Sequence, residues 1–402
     1  MSSVDFIEKR PVLAALSDLD DVLESVYGWM RDSGIQNVEG DEALLGSINA
    51  WFETDTESYP FVYSEITGYW VTLLCTLYHL HGNQLYLERA QAAGEWLLRT
   101  THEPNGGFRC LYPLKPSRFN FKQEQIYAFD VGMVLNGLVE LYRATRQERF
   151  LASAVTAGDW LVYSAQKPNG SFYPVFQIDD EKFFESDKEW STTSGSYHAK
   201  NAIGLLNLAD LTHKQKYRDA AVKICDFALG CQKTSGRFVS FLSRGGTNAH
   251  PHCYSCEGLW VAGRYLERED YLEASARGTQ WLLDMQSEEG YIPRRFLDDQ
   301  PIYHERVDAI SQTLRLAVLH LAQGTLHESY RRRAERLVPI ILRNQAKTDD
   351  VRSNGGLYFG RSNKGEVIPH VNSWVTAFAS QALRLYRASL EGKPELKPFH
   401  LV

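Results

Sequence analysis

A short turn sequence recurs along this chain and constrains its fold more than any other feature. "NGGF" begins at Asn105, "NGSF" at Asn169, "SGRF" at Ser235 and "EGYI" at Glu289, and "NGGLY" begins at Asn354. Each copy follows an amphipathic stretch that predicts a helix. Self-similarity of this kind is the sequence signature of a repeat architecture, so the chain is predicted to consist of repeated helical units.

The helix that precedes each turn has an aromatic or large apolar residue at one equivalent position. Six such residues recur at intervals of 54 to 67 residues, which leaves room for two helices and their loops in each interval. They are Trp29, Trp96, Trp160, Phe227, Trp281 and Ile340. The sixth helix is predicted to be weak because it contains Pro339, which lacks an N–H and clashes inside a helix.

A second and more apolar helix is predicted within each interval. These helices begin at Tyr63, Tyr127, Tyr197, His252, Val307 and His370. A helix that is apolar nearly all round is a buried one. Six buried helices alternating with six amphipathic ones predict an all-α fold, an (α/α)6 toroid that occupies residues 1–402 as a single domain. The helix around Trp29 has no inner partner before it and is predicted to pack with the last inner helix, closing the ring.

The glycine of the recurring turn has a structural interpretation. Glycine adopts positive φ without steric cost, so Asn-Gly or Ser-Gly can end an outer helix and the following aromatic residue can return the chain toward the next inner helix. The turn therefore indicates architecture rather than chemistry.

Composition excludes several classes of protein. The chain has 402 residues, of which 44% are hydrophobic and 23% charged, and its net charge of −7 argues against a basic nucleic-acid-binding surface. Its first residues include acids where a signal peptide needs an apolar core, and no apolar run approaches the ~20 residues of a membrane span. The six cysteines are expected to be reduced thiols. A cytoplasmic protein without nucleic-acid or membrane partners is predicted.

Three long insertions are predicted at the end of the ring where the inner helices begin. They comprise residues 110–126, 173–196 and 294–306, and all are rich in aromatic residues. They exceed the ~4–6 residues that are typical of connections. Aromatic rings that stack on sugar faces, with polar groups for the hydroxyls, are what a carbohydrate cleft needs.

Polar residues at the start of the inner helices form the candidate site. The predicted catalytic residues are Asp130, Glu65, His198, His252 and His370. The predicted substrate-binding residues are Tyr63, Tyr69, Lys200, Arg306, Asp308, Asn372 and Trp374. Equivalent positions in successive repeats direct these side chains toward one cavity.

The residue types suggest acid–base chemistry. Asp130 lies between Phe129 and Met133, which could raise the pKa of its carboxyl group toward a working value. Glu65 supplies the second carboxylate that glycosidic bond cleavage requires. The histidines titrate near neutral pH and can donate or accept a proton, and Lys200 and Arg306 could hold a substrate carboxylate.

A metal site is an alternative for one stretch. "HPHCYSCEG" brings together His250, His252, Cys253 and Cys256, which are ligand types that zinc accepts. The zinc alternative comprises Cys253 and His252, with the distant His370 completing a catalytic type of site. Without it, no cofactor is expected.

The repeat pattern resembles the (α/α)6-toroid families of carbohydrate-active enzymes over nearly the whole chain. These include unsaturated glucuronyl and rhamnogalacturonyl hydrolases, polysaccharide lyases, N-acylglucosamine 2-epimerases and glucuronyl C5-epimerases. "FDVGMVLNGLVELYRATRQERFLASAV" resembles the Asp-bearing segment of the unsaturated glucuronyl hydrolases, which implies an acid/base role for Asp130. "YHAKNAIGLLNL" loosely resembles their following Trp-Ala-Arg-Gly-Gln segment, with Lys200 and Asn201 in place of Arg and Gly. The 2-epimerase resemblance implies a histidine pair, for which His252 and His370 are the candidates.

"CYSCEGLWVAG" is also similar to the Cys-Tyr-Ser stretch of protein prenyltransferase β subunits, whose Asp, Cys and His bind zinc. In that resemblance Cys253 takes the Cys place and His370 the His place. Pro251 stands where those proteins have the ligating Asp.

The sequence therefore predicts a carbohydrate-active enzyme that acts on an acidic or amino sugar, as a small molecule or an oligosaccharide. Hydrolysis of the unsaturated-uronyl type is preferred because Glu65 and Asp130 offer two carboxylates. Epimerisation, which the histidines would serve, and polysaccharide lysis remain open. A zinc-dependent toroid of the prenyltransferase or lanthionine-cyclase kind and a ligand-binding scaffold without catalysis are further alternatives.

Overall fold

The chain forms a ring of alternating inner and outer helices in a computed structural model that describes residues 16–241, 245–392 and 394–402. The inner helices of these ranges are α2 (Ser64–His81), α4 (Ala128–Thr145), α6 (Ala202–Thr212), α8 (Ala249–Leu266), α10 (Val307–Gln323) and α13 (Ser373–Leu390). The outer helices are α1 (Leu16–Asp32), α3 (Gln84–Trp96), α5 (Glu148–Trp160), α7 (Gln215–Gly230), α9 (Glu269–Asp284) and the short pair α11 (Arg331–Glu335) and α12 (Val338–Leu342). The predicted (α/α)6 toroid is confirmed.

The first outer helix closes the ring against the last inner helix, as predicted. Arg387 of α13 forms an ion pair with Asp20 of α1. Trp29 of α1 donates a hydrogen bond from Nε1 to the carbonyl of Arg352, over 2.9 Å, and its ring lies 6.3 Å from that of Trp70 in α2. The N-terminal residues 1–15, on which the absence of a signal peptide was predicted, lie outside the described residues.

The glycine turns connect each unit to the outer helix of the next one. Apart from Gly40, six glycines in the described part of the chain have φ between +90° and +97°, and each of the six lies in one of these turns. They are Gly46, Gly106, Gly170, Gly236, Gly290 and Gly355. Five follow the recurring turn sequence, whereas Gly46 in "LLGS" lacks it and was not predicted. A Cβ atom at Gly170 would lie 2.4 Å from the carbonyl oxygen of Lys223 in α7, so the turn packs directly on the neighbouring backbone.

A glutamine in five of these turns bonds to the neighbouring outer helix. Gln232 donates from Nε2 to the carbonyl of Gly236 in its own turn, over 2.9 Å, and to that of Ala274 in α9, over 2.7 Å. The equivalent residues are Gln36, Gln166, Gln286 and Gln345. His102 takes this place in the remaining turn, and its Nε2 lies 3.1 Å from Thr156 Oγ1.

Short antiparallel strands cover the end of the ring at which the inner helices begin, here called the mouth. The strands are β1 (Trp51–Glu53), β2 (Phe61–Tyr63), β3 (Leu111–Pro113), β4 (Gln125–Tyr127), β5 (Val175–Gln177), β6 (Lys182–Phe184), β7 (Thr247–Asn248), β8 (Arg295–Leu297), β9 (Gln300–Ile302) and β10 (His370–Asn372). β1 pairs with β10, β2 with β3, β4 with β5 and β6, and β7 with β8 and β9. The three aromatic insertions supply β3, β4, β5, β6, β8 and β9, so they lie at the mouth as predicted.

The C-terminal residues fill the opposite end of the ring. Gln381 of α13 donates to the carbonyl of His400 over 2.7 Å, and Asn136 of α4 donates to that of Phe399 over 2.9 Å. His400 Nε2 lies 3.2 Å from a carboxylate oxygen of Glu140. Access to the ring interior is therefore from the mouth. No helix in the described ranges is long and apolar enough to span a lipid bilayer.

Three helix boundaries differ from the sequence prediction by more than one residue. Helix α8 begins at Ala249 rather than His252, because Pro251 is tolerated in a first helical turn where its missing N–H has no partner to lose. Helix α13 begins at Ser373, because His370 pairs with Glu53 in the strand before it. The third inner helix starts with the 3₁₀ segment Ser196–Asn201 ahead of α6. The sixth outer helix, predicted to be weak, is divided into α11 and α12, and Pro339 lies in the first turn of α12.

The turn contacts predict a large effect of a single methyl group. Gly170→Ala requires positive φ of an alanine and places its Cβ against the Lys223 carbonyl, so we expect the free energy of unfolding to fall by about 3 kcal/mol. Gly82→Ala is the control, because Gly82 has φ of +66° but open space around it, and we expect a loss of about 1 kcal/mol. Urea denaturation measures both, and equal losses would contradict the proposed packing role.

Candidate active site

A cavity of about 180 Å³ lies at the mouth. Phenylalanine, tyrosine and tryptophan supply half of its lining residues, and carboxyl, imidazole, ammonium and guanidinium groups contribute to the rest. Its lining residues are Tyr63, Glu65, Ile66, Lys122, Tyr127, Phe129, Asp130, Trp190, Ser191, Tyr197, His250, Tyr254, Arg306 and Trp374. Five predicted site residues therefore meet here: Tyr63, Glu65, Asp130, Arg306 and Trp374.

Position within the inner helices explains which side chains meet. Glu65, His250 and Trp374 are each the second residue of their helix, and all three line the cavity. Phe129 is the second residue of α4, and Tyr197 is the second residue of the 3₁₀ segment. Related helices of a ring direct equivalent Cα–Cβ bonds toward the same axis, so one register position supplies much of the lining.

Asp130 is a buried carboxyl group with a free oxygen. The residue is 2% exposed, and its Oδ2 atom has no hydrogen-bond partner among the described residues. Burial raises the pKa of Asp130 well above its ordinary value, and the nearby Glu65 carboxylate raises it further. Lys122, Cys110 and Tyr63 counteract these effects in part. Asp130 is thus suited to remain protonated and to donate a proton.

Glu65 is the second carboxyl group of the cavity. Burial raises its pKa as well, whereas hydrogen bonding by Tyr63 and the positive charge of Lys200 lower it. Tyr254 donates a hydrogen bond from its hydroxyl group to Glu65 Oε1 over 3.4 Å. Two coupled carboxyl groups of this kind do not ionise independently, so a neutral Asp130 beside an ionised Glu65 is the favoured arrangement.

Asp308 organises the opposite side of the cavity. Its Oδ1 accepts from Arg306 Nε over 2.9 Å, and its Oδ2 accepts from Arg306 Nη2 and, over 3.2 Å, from Trp374 Nε1. Burial opposes ionisation, but the positive charge of Arg306 prevails and holds the pKa of Asp308 well below its ordinary value. Asp308 therefore fixes two lining side chains rather than facing the cavity itself.

His250 is a charged or polar lining residue of the cavity that the sequence analysis did not select for the site. Its Nδ1 lies 2.7 Å from Gln312 Oε1 and 3.4 Å from Asp308 Oδ2, and its ring lies 4.4 Å from that of Tyr254. Burial lowers the pKa of His250 to about 4, so its imidazole is neutral near pH 7. The register shared with Glu65 was the signal that would have identified His250 in place of His252.

Trp190, Tyr197 and Tyr254 form a continuous aromatic wall. The ring centroids of Trp190 and Tyr197 are 5.2 Å apart and perpendicular, and Trp190 lies 6.4 Å from Tyr254. Phe129 extends the wall, at 4.5 Å from Tyr254. Such a wall offers flat apolar faces next to the carboxyl groups.

A charged cluster of Lys200, Glu257 and Arg315 lies beneath the cavity. All three side chains are fully buried, and Lys200 Nζ is 2.9 Å from Glu257 Oε2. The ammonium group also faces the rings of Tyr69 and Tyr254, at 4.7 and 4.4 Å from their centroids. Lys200, which was predicted to bind substrate, is paired with Glu257 and enclosed, and it does not line the cavity. Tyr69 shares this position below the lining.

Four other predicted residues lie outside the cavity. His252 is fully buried, with Nδ1 accepting from the Phe238 amide over 3.1 Å and Nε2 lying 2.9 Å from the Gly278 carbonyl. Both ring nitrogens therefore serve packing. His198 is also fully buried and its two ring nitrogens have no partner among the described residues.

His370 and Asn372 belong to strand β10 at the mouth. The ring of His370 lies 4.9 Å from Trp51 and 5.2 Å from Phe359, within an aromatic cluster that continues to Trp374. Asn372 is fully buried and caps α13, because its side chain accepts from the Val375 amide over 3.1 Å. Neither residue lines the cavity.

The predicted zinc ligands are not brought together. Cys253 Sγ contacts Thr313 Oγ1 at 3.6 Å, His252 is bonded to the backbone of other segments, and His370 lies in its strand. Across the ranges that the structure describes, no three His, Cys, Asp or Glu side chains are placed to hold a metal ion. All six cysteines lie in those ranges and are free thiols.

Comparison with known proteins supports the fold. The sequence profile of Glycosyl hydrolase family 47 matches residues 114–241, about a third of the chain. No curated protein sequence matches. The chain is similar in structure to cellobiose 2-epimerase from Bacillus thermoamylovorans B4167, with a TM-score of 0.75 and 11% identity over 92% of this chain and 98% of that one.

Two further structures have related folds and other activities. A D-mannose isomerase gives a TM-score of 0.74 with 12% identity, over 95% of this chain and 100% of that one. The unsaturated glucuronyl hydrolase of Bacillus sp. GL1, which degrades glycosaminoglycan, gives a TM-score of 0.63 with 17% identity. The match covers 93% of this chain and 97% of that one. At such low identity these similarities establish a shared fold, and the resemblance to (α/α)6-toroid families is confirmed at that level.

The buried histidines predict a loss of stability in acid. Burial lowers the pKa of His198 from 6.5 to about 3, so between these pH values the unfolded chain binds a proton that the folded chain does not. The contribution of the neutral His198 imidazole to the free energy of unfolding is therefore fully present above pH 6.5, and it is lost progressively as the pH falls. We expect His198→Phe to reduce this dependence by about 1.4 kcal/mol per pH unit, as measured by urea denaturation from pH 7 to 4.5. An unchanged dependence would contradict the neutral, buried imidazole.

Proposed function

We propose that the protein is a carbohydrate-active enzyme that holds one acidic sugar unit in the mouth cavity and acts on it by general acid–base catalysis. A volume of about 180 Å³ is below the ~300 Å³ of typical ligand pockets, which favours a single ring over a longer chain. The aromatic wall of Trp190, Tyr197 and Tyr254 suits the apolar face of a sugar.

The observation that supports this proposal most is the environment of Asp130. A buried carboxyl group with an unpartnered oxygen, whose pKa is raised by burial and by a neighbouring carboxyl group, is the arrangement that glycosidic chemistry uses. Such a pair has little value for stability, because burying two acids beside each other costs free energy and Asp130 Oδ2 has no hydrogen-bond partner among the described residues to offset that cost. Its presence at the base of a cavity therefore favours a catalytic role.

Hydrolysis of a terminal, unsaturated-uronyl type of sugar is the first candidate reaction. Asp130 donates its proton to the oxygen that leaves, the bond from that oxygen to the sugar breaks, and Glu65 removes a proton from the water that adds. Lys122 places positive charge on the cavity wall, and Arg306, although paired with Asp308, adds a guanidinium group, which together suit the carboxylate of a uronic acid.

Epimerisation is the second candidate, and His250 is the observation that favours it. A neutral imidazole in the cavity can remove a proton from a carbon next to a carbonyl group, and Asp130 can supply one. The fold shared with cellobiose 2-epimerase is compatible with this reaction. Polysaccharide lysis needs a similar acid and base, but no further feature of the cavity favours it. Without an assembled zinc site, the prenyltransferase-like alternative loses its basis.

The proposal predicts a large and specific effect at Asp130. Asp130→Asn keeps the shape of the side chain but removes its acidic proton, so we expect kcat to fall by about 100- to 10,000-fold. Asp210→Asn is the control, because Asp210 pairs with Arg143 far from the cavity, and it should retain wild-type activity.

The assay uses unsaturated-uronyl, saturated uronic-acid and amino-sugar oligosaccharides, with NMR of the products. A new reducing end identifies hydrolysis, and a changed configuration at constant mass identifies epimerisation. Equal activity of Asp130→Asn and the wild type would overturn the proposed role of Asp130, and failure to convert any of these sugars would overturn the substrate class.

A further inference from the structure

A chain of buried hydrogen bonds connects the cavity to the charged cluster beneath it. His250 Nδ1 lies 2.7 Å from Gln312 Oε1, and Gln312 Nε2 donates to both carboxylate oxygens of Glu257 at 3.2 Å. Gln312 and Glu257 are fully buried. The sequence analysis selected neither residue, and the acid–base roles proposed above do not use them.

Glu257 is fixed as an ionised carboxylate. Arg315 donates to it from Nε over 2.9 Å and also from Nη2, and Lys200 Nζ lies 2.9 Å away. Burial raises the pKa of Glu257, but the two cations outweigh burial and lower it. An ionised carboxylate only accepts hydrogen bonds, so the amide nitrogen of Gln312 must face Glu257 and its oxygen must face His250.

Both groups that face His250 Nδ1 are therefore acceptors. One is Gln312 Oε1, and the other is the ionised Asp308, whose Oδ2 lies 3.4 Å away. A neutral imidazole has one N–H, and two acceptors place it on Nδ1. Nε2 then retains its lone pair, and this nitrogen has no hydrogen-bond partner among the described residues.

We infer that Gln312 is a positioning residue that, held by Glu257, keeps the proton of His250 on Nδ1 and presents Nε2 to the cavity as a proton acceptor. The catalytic meaning of this inference rests on the proposed function. It requires a proton donor next to Nε2. This donor is a hydroxyl group or an acidic C–H of the substrate, or a water molecule bound beside it. It also places the proposed acid and the proton acceptor of the epimerisation candidate on different inner helices, with Asp130 on α4 and His250 on α8.

Among the described residues, the charged groups and rings around His250 do not favour the opposite tautomer. Burial is the main cause that lowers its pKa to about 4; the Asp308 carboxylate opposes the shift, and the positive charges of Arg306 and Lys200 add to it. The rings of Tyr254, Trp190 and Phe378 lie 4.4, 5.9 and 6.3 Å from the imidazole.

Nitrogen NMR of the full chain tests the inference without requiring a substrate. In protein labelled with ¹⁵N-histidine, long-range proton–nitrogen correlations distinguish a protonated ring nitrogen from an unprotonated one. The His250 signals are identified by their loss in His250→Gln. At pH 7 we expect protonated Nδ1 and unprotonated Nε2 in the wild type, with the same pattern at pH 5.5.

Gln312→Met removes the amide while keeping the length of the side chain. We expect the ratio of the Nε2–H form to the Nδ1–H form to rise about five- to tenfold, because one hydrogen bond that favours Nδ1–H is lost. Gln381→Met is the matched control: Gln381 is also a buried glutamine of an inner helix and accepts from Arg315 over 3.0 Å, but it does not contact His250. Its tautomer ratio should equal that of the wild type.

A wild-type spectrum with the proton on Nε2 would overturn the inference, whether or not Gln312→Met folds. An unchanged ratio in folded Gln312→Met would overturn the role of Gln312. If the expected tautomer is found but none of the tested sugars is converted, the proposed function fails while the positioning by Gln312 stands.

Discussion

The rest of the structure depends on the contact between each glycine turn and the outer helix of the next unit. In these turns backbone approaches backbone, as at Gly106, where a Cβ atom would lie 2.6 Å from the carbonyl oxygen of Thr156. The last of them, Gly355, lies against Ser25 of α1, so the same contact that joins neighbouring units also closes the ring. A glutamine such as Gln345 satisfies carbonyl groups on both sides of this joint, which a buried interface between backbones requires.

Ring closure places ionisable and aromatic side chains together at one end, because the inner helices all begin there. Short strands orient these beginnings, and the second helical residue then points to the axis, as Glu65 and His250 do. Charged side chains on the inner helices also lie buried below the cavity, and the ring interior must compensate their charges. It does so with the charged cluster of Lys200, Glu257 and Arg315, in which the loss of Glu257 would leave two buried cations without a counter-charge. The same cluster orients Gln312 and, through it, His250.

Sequence periodicity was sufficient to predict the fold, because turns and apolar helices repeat visibly. It also placed Asp130, Glu65 and Arg306 in one cavity, since polar residues at the start of buried helices are exceptional. The prediction failed for residues whose position in the helical turn determines whether they face the cavity. His252 lies two residues beyond His250 on the same helix, and that offset turns its ring away from the cavity, toward the backbone of Phe238 and Gly278. The ion pairs of buried side chains could not be predicted either. The sequence does not reveal that Lys200 pairs with Glu257, which is 57 positions later.

The central claim is that the carboxyl group of Asp130 in the cavity is protonated. Titration of that carboxyl group tests the claim most directly. Aspartate labelled with ¹³C at the carboxyl carbon gives a signal that changes on ionisation, and Asp130→Asn identifies the one from Asp130. The account predicts a midpoint well above 3.8, the ordinary pKa of an aspartate, which falls when Glu65→Gln removes the neighbouring charge. A midpoint at or below 3.8 in the wild type would contradict the account, because Asp130 would then be ionised at every pH at which the protein could act.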